Sequence, residues 1–373
     1  MDSETLQKST KDNKKRKLDK ISQFLHYCAN IKLAILLLAI LFSFDAKVIA
    51  QASGGGYNNS YLLRDIGARS ISMGGAFTAV ANDAFAIFYN PGGLSWLDER
   101  PSFATSYSFL EFNRVHTSAA WGQAMFENLG FGFGINSFST GSFISRDVFG
   151  TPLKEMTDFE ISLSGAASYK LEFASIGIAV KYLRHSLAGS DYSADGFSLD
   201  MGSKFNIADL FTFGVAIQNF SGVMFWNSMA EETNILPFTV RTGVAFEYGL
   251  NEEEYTTRST VSGELEEVFN PATRYILFAL DAVLTQYEEG PQVILGVEGV
   301  PHEVIAFRGG INILGDKLGS WKFLPMTVWG VGISLRPEFE DMPIKFNIDY
   351  SVGNDYMASN GIAHHLSIFF ELK

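Results

Sequence analysis

From about residue 102 onward the chain repeats one pattern: an apolar side chain at every second position, with small or polar residues between. In 129–136, Leu129, Phe131, Phe133 and Ile135 alternate with Gly130, Gly132, Gly134 and Asn136. In 176–182, Ile176, Ile178, Val180 and Tyr182 alternate with Gly177, Ala179 and Lys181; in 344–352, Ile344, Phe346, Ile348, Tyr350 and Val352 oppose Lys345, Asn347, Asp349 and Ser351. A period of two is the strand period, and no stretch of helical period competes with it. About fourteen such segments can be counted, near 102–110, 115–125, 129–138, 157–168, 175–184, 195–206, 211–220, 238–248, 274–284, 292–299, 303–312, 327–336, 343–352 and 364–372. Most are roughly nine to eleven residues long, enough for a tilted strand to cross a bilayer. Tight connectors at 126–128, 171–172, 208–209 and 300–302 broadly alternate with long polar ones at 139–156, 185–194, 221–236, 249–272 and 313–326. Short turns at one end and long loops at the other are the asymmetry of an outer-membrane barrel.

A water-soluble sandwich would also alternate, so the choice of solvent rests on other features. An even number of strands can close on itself and leave no edge, which a bilayer requires. The non-apolar face is mostly Gly, Ser, Ala, Asn and Thr, with few of the long charged side chains that would solvate an outer face. The charges that do occur there (Lys181, Asp200, Lys204, Arg241, Glu247, Asp281, Arg308, Lys345, Asp349) mix both signs, as suits a filled polar lumen in which they pair. The apolar face is rich in Phe, Trp and Tyr, some near segment ends, as an aromatic girdle requires. The predicted fold is therefore all-β, a transmembrane antiparallel β-barrel of about 14 strands over residues 101–373. The last segment places Leu366, Ile368, Phe370 and Leu372 on one face, an aromatic closing strand of the kind read by barrel-assembly machinery.

The first fifty residues have a different character. Residues 1–32 are polar and basic, 33–44 are apolar, and Ala50 and Ala52 offer small residues at the spacing a signal peptidase reads. A basic region, a short apolar region and a small-residue cleavage site predict a secretory signal peptide over 1–50 with a long basic n-region. That segment holds nine basic and five acidic side chains, so the exported remainder carries 19 against 36, a net charge near −17 instead of −13. Such an acidic chain is not a nucleic-acid binder. Cys28 leaves with the signal, so the exported protein has no thiol.

Residues 51–100 do not alternate. Small residues dominate from Gly67 to Ala86, which lets the segment pack in a restricted space, and Asn90-Pro91-Gly92-Gly93 reads as a turn whose two glycines take positive φ. Here the sequence resembles a known family. Gly67-Ala-Arg, Met73-Gly-Gly-Ala-Phe-Thr-Ala-Val-Ala-Asn-Asp83 and Tyr89-Asn-Pro-Gly-Gly-Leu94 are similar to the N-terminal signature of PorV/PorQ-type proteins, within the FadL-like superfamily of fourteen-stranded outer-membrane barrels. The resemblance is strongest over 64–98. It implies that the segment before the first strand folds into the lumen as a hatch carrying Met73, Gly74, Gly75, Asn90, Pro91, Gly92 and Gly93, with Gly92 where the family usually has Ala.

Other chemistry is thin. The five histidines outside the signal, His116, His185, His302, His364 and His365, form no zinc motif, and there is no nucleophile elbow or phosphate loop. His364 and His365 point to opposite faces of a strand. Asp191–Gly196 and the acidic residues Glu252–Glu254, Glu264, Glu266 and Glu267 read as solvated loops. No catalytic residues, metal or cofactor are expected. The resemblance implies a bacterial outer-membrane protein accessory to protein export or surface attachment, of the type IX secretion kind. Its partners would be outer-membrane lipid, the assembly machinery, and secretion components or exported cargo. The alternative is FadL-like transport of a hydrophobic small molecule. The lumen discriminates: a transporter needs an apolar pocket near the hatch, whereas a scaffold tolerates a polar, plugged interior with an exposed apolar loop. Met224, Phe225, Trp226 and Met229 in 221–236 are the candidates for that partner loop or for a pocket lid.

Overall fold

The computed structural model describes residues 60–126, 128–207, 211–227, 233–251, 253–258, 265–270, 272–286, 290–315, 327–337, 343–355 and 361–372. The predicted signal peptide and Met229 lie outside these residues. Every predicted strand segment is hydrogen-bonded as a strand. In chain order they are β1 (Ser102–Phe109), β2 (Val115–Met125), β3 (Leu129–Arg146), β4 (Pro152–Lys170), β5 (Ala174–Ala188), β6 (Ser193–Ile207), β7 (Phe211–Trp226), β8 (Thr233–Ile235), β9 (Thr239–Gly249), β10 (Glu253–Arg258), β11 (Leu265–Asn270), β12 (Tyr275–Thr285), β13 (Gln292–His302), β14 (Ile305–Leu314), β15 (Val328–Leu335), β16 (Ile344–Asp355) and β17 (Gly361–Leu372). Fourteen of them, all but β8, β10 and β11, pair antiparallel in sequence order, and β1 pairs with β17 to close the barrel. β8 is a short extra strand on β7, and β10–β11 is a separate hairpin.

The two faces of this sheet are dressed inside out relative to a soluble protein. Large apolar side chains point outward and are exposed, among them Phe133 at 47%, Ile176 at 59% and Val331 at 52%, while the inward charges Asp200, Asp281 and Glu298 are fully covered. Water would select the opposite arrangement, so the outer face is built for hydrocarbon. Exposed Phe126, Tyr169, Phe173, Phe211 and Tyr248 ring the end that carries the short turns, and Phe109, Phe159, Phe197 and Phe225 flank the other.

Three departures from the sequence reading are instructive. Pairing of β3 with β4 continues through 139–156 to Arg146 and Pro152; β5 and β6 likewise fill most of 185–194, and β7 runs to Trp226 inside 221–236. Beyond the hydrocarbon both faces meet water, so backbone pairing persists without the alternation that marks a strand in the sequence. Second, the 249–272 connector is not an outer loop. β9 runs antiparallel to β7, so this connector leaves at the same end as the short turns and contains the β10–β11 hairpin. Third, the wall is irregular between β6 and β7, where the register slips on both sides of Leu199; Asn219 and Ser221 there take φ of 56° and 52°. This double bulge bends β7.

Candidate functional site

Residues 60–98 fill the barrel's interior as a compact plug. They form short turns of helix at Ser60–Leu63, Ala68–Ser72, Ala86–Tyr89 and Pro91–Trp96. The plug's apolar residues, including Met73, Phe77, Phe85, Ile87 and Leu94, make the protein's main buried cluster together with a few inward wall residues such as Leu277 and Ile294. The small inner face of the strands is what admits it. A Cβ on Gly310 would lie 2.0 Å from the Met73 backbone, on Gly330 2.1 Å from the Ile71 carbonyl oxygen, on Gly214 2.2 Å from the Thr78 carbonyl oxygen, and on Gly130 2.3 Å from the Ser95 nitrogen. Backbone of the plug thus rests directly on backbone of the wall, which only glycine permits.

All seven hatch residues singled out from the sequence lie in this plug, where they do different jobs. Gly74 and Gly75 take φ of 69° and 95°, turning the chain after the helix Ala68–Ser72. Asn90 is fully buried and extended, as a residue before proline must be. Its carboxamide oxygen accepts from the Gly92 N–H at 3.1 Å, and its Nδ2 donates to the carbonyls of Thr78 and Ser203, both at 2.9 Å. One side chain therefore ties the turn, an earlier plug segment and strand β6. The expectation of positive φ at Gly92 and Gly93 is corrected: Pro91–Trp96 is a 3₁₀ turn, and neither glycine is in the left-handed region. They are needed for close approach, since a Cβ on Gly93 would stand 2.2 Å from the Ala81 carbonyl oxygen and one on Gly92 3.0 Å from Ser203 Cα.

Polar contacts lock the plug to a run of neighbouring strands, β6, β7, β9, β12 and β13. Arg69 makes a two-pronged pair with Glu298 of β13, both arms at 2.9 Å, and donates to Asn82 at 2.6 Å. Glu298 also pairs with Arg308 and accepts from the Tyr275 hydroxyl at 2.6 Å, while Arg308 reaches Asp349 at 3.0 Å. On the neighbouring strand β12, Asp281 accepts from Phe77 N–H (3.1 Å), Thr78 N–H (2.9 Å) and the Thr78 hydroxyl (2.5 Å), and on β9 beyond it Arg241 donates to the Gly75 carbonyl at 2.7 Å. Lys204 donates to the Val80 carbonyl at 2.8 Å and Gln218 to that of Phe88 at 2.5 Å. The mixed charges read from the sequence do pair in the lumen. Arg69 and Glu298 were missed, although Glu298 stands directly across from Arg308 in the register.

The space left among the described residues is small. A cavity of about 240 Å³ lies at the short-turn end among Arg69, Asp83, Arg308, Lys345 and Asp349. On the other side of the plug are pockets of about 40 and 60 Å³, both touching Asp65. Burial pushes the Asp65 carboxyl up to about 6, against the pull of Arg241 and of the Tyr89 hydroxyl. A larger apolar hollow, about 570 Å³, is on the outer wall between Tyr169, Ile176, Met201 and Ile217, next to the double bulge. Its inner side is where Asn90, Pro91 and Gly92 press on Gly177 and Gly202.

The candidate partner loop is divided by the strand it belongs to. Met224 is buried against Leu183, Ala194 and Leu236, with Trp226 beside them, whereas Phe225 points outward and is exposed.

No family model and no curated protein matches this chain. Solved structures do. The Pseudomonas putida toluene transporter TodX superposes with a TM-score of 0.54 at 11% identity, covering 83% of this chain and 98% of that one. The CymD monoaromatic hydrocarbon channel gives 0.50 at 11%, covering 85% and 97%. A FadL homologue of Pseudomonas aeruginosa gives 0.45 at 12%, covering 80% and 94%. At such identities the likeness is one of fold alone, an outer-membrane β-barrel along nearly the whole of the matched chains; nothing in it singles out the PorV/PorQ type.

Proposed function

We propose that this protein admits a small hydrophobic molecule across the bacterial outer membrane, passing it round a movable hatch and out sideways into the bilayer. The observation that carries the reading is a coincidence of place. The Asn90-Pro91-Gly92 turn sits on the inner side of β5–β6, the regular pairing of β6 and β7 breaks beside it, and the outer side of the same wall carries the apolar hollow. An apolar solute leaving there would enter acyl chains without crossing a charged surface. The fold shared with a toluene transporter and a monoaromatic hydrocarbon channel supports the same reading.

The plug as it stands is closed, and the pockets above it, about 40 and 60 Å³, are too small for a solute to pass, so passage requires the hatch to shift. Its polar anchors can be exchanged for water without unfolding the barrel, whose strands pair with one another independently of it. A polar, filled lumen is also what the second reading expects, that of an outer-membrane scaffold of the PorV/PorQ type for exported proteins. The two part in a simple experiment. The protein is expressed in an outer membrane that lacks channels of this fold, and uptake of a radiolabelled monoaromatic compound and of a medium-chain fatty acid is measured. Uptake above the empty-vector level that changes in Gly310→Val, where the valine forces the hatch backbone away, supports transport. A folded, heat-modifiable barrel that takes up neither compound overturns it; loss of surface proteins on deleting the gene in the native host then supports the scaffold.

A further inference from the structure

Three donor side chains converge on β4 and β5 that neither the hatch nor its anchoring pairs use. Asp158 and Glu160 are two residues apart on one strand and so share its inner face. His185 is the direct cross-strand partner of Glu160. The ligand atoms of all three lie within 4.8 Å of one another. His185 Nε2 and Asp158 Oδ1 are 2.5 Å apart. Glu160 is only 6% exposed, and neither its Oε2 nor His185 Nδ1 has a hydrogen-bond partner. The nearby cation Arg64 is already held by Asp355 at 2.9 Å and by the Phe138 ring.

A buried carboxylate oxygen without a donor is costly, and a bound cation is one remedy. We propose that Asp158, Glu160 and His185 form a site for a single divalent transition-metal ion of the zinc class. Two carboxylates and one imidazole make a three-ligand set that leaves room for a water or an external donor, and the imidazole disfavours Mg²⁺ and Ca²⁺. Ligand atoms about 2.0–2.2 Å from a tetrahedral zinc stand roughly 3.4 Å from each other. Asp158 and His185 therefore need to part by about an ångström, a side-chain rotation that leaves the strand pairing intact. The site has an apolar cover: Trp226 of β7 lies edge-on to the His185 ring at 4.9 Å, reaching it across the small Ala194 that stands between them in the register. A metal here would brace β4 against β5 near the rim opposite the short turns.

The test uses the full exported chain folded in detergent, stripped with EDTA and titrated with ZnCl₂ by calorimetry, with unheated gel mobility reporting that each barrel is folded. Wild type takes up one equivalent. Glu160→Gln and the milder His185→Gln each weaken uptake at least tenfold, and His365→Ala, which removes another buried imidazole, leaves it unchanged. The proposal is overturned if folded wild type binds no stoichiometric zinc, if Glu160→Gln binds as tightly, or if the same binding persists in Asp158→Asn/Glu160→Gln/His185→Gln. In that last case acidic surface loops hold the ion.

Discussion

Replacing Arg69 by methionine removes the strongest tie between plug and barrel while leaving the wall untouched. The guanidinium makes two 2.9 Å bonds to Glu298, one of 2.6 Å to Asn82 and a pair with Asp83 at 3.4 Å, and it lies 5.5 Å from the Phe77 ring centre. Losing one partner of a buried ion pair costs about 3–5 kcal/mol. Glu298 keeps Arg308 and the Tyr275 hydroxyl, which places the loss at the lower end, about 3 kcal/mol, and methionine retains most of the stem's packing. That converts to roughly a hundredfold larger population of the undocked hatch. Hydrogen–deuterium exchange read by mass spectrometry distinguishes local from global loosening. Peptides covering 68–97 should exchange on the order of a hundredfold faster, while those from β1, β13 and β14 keep their protection. In a Glu298→Gln background the same substitution should cost much less, because the partner has already lost its charge. The reasoning fails if hatch protection changes by less than about threefold in Arg69→Met, or if hatch and barrel loosen together.

Two further outcomes follow from the same geometry. The Asp65 carboxyl, pushed up to about 6 by burial, binds its proton more tightly in the docked hatch than in water, so docking is strongest below about pH 4 and weakens as pH rises through 6. The total is at most about 3 kcal/mol, and Asp65→Asn should abolish it; protection factors of the 60–98 peptides at pH 4 and 7 measure this, and protection that rises with pH contradicts it. On the outer face, Val331→Arg near the middle of β15 should lower stability by about 2–4 kcal/mol in lipid, because hydrocarbon cannot solvate the charge. Denaturant unfolding in bilayers reads it, and a cost below about 0.5 kcal/mol would mean that this face meets water instead.

The sequence by itself determined the barrel and its two solvents. Period-two alternation requires no tertiary partner to be legible, so all fourteen crossing segments and the facing of Phe133, Ile348 or Asp281 could be read from it, as could the small-residue, non-alternating stretch that becomes the plug. It failed where alternation stops although pairing continues, as in the upper halves of β3 and β4, because water on both faces removes the constraint that writes the pattern. Only the tertiary structure decided who meets whom. A strand's pattern fixes the face of Glu298 or Glu160, but their partners Arg308 and His185 come from the register between strands, and a slip of one residue would send each partner to the opposite face. The same holds for the inner glycines. Their smallness is plain in the sequence, yet its reason, the plug's backbone lying against Gly310, Gly330 and Gly214, exists only once a segment far away in the chain has folded back through the ring.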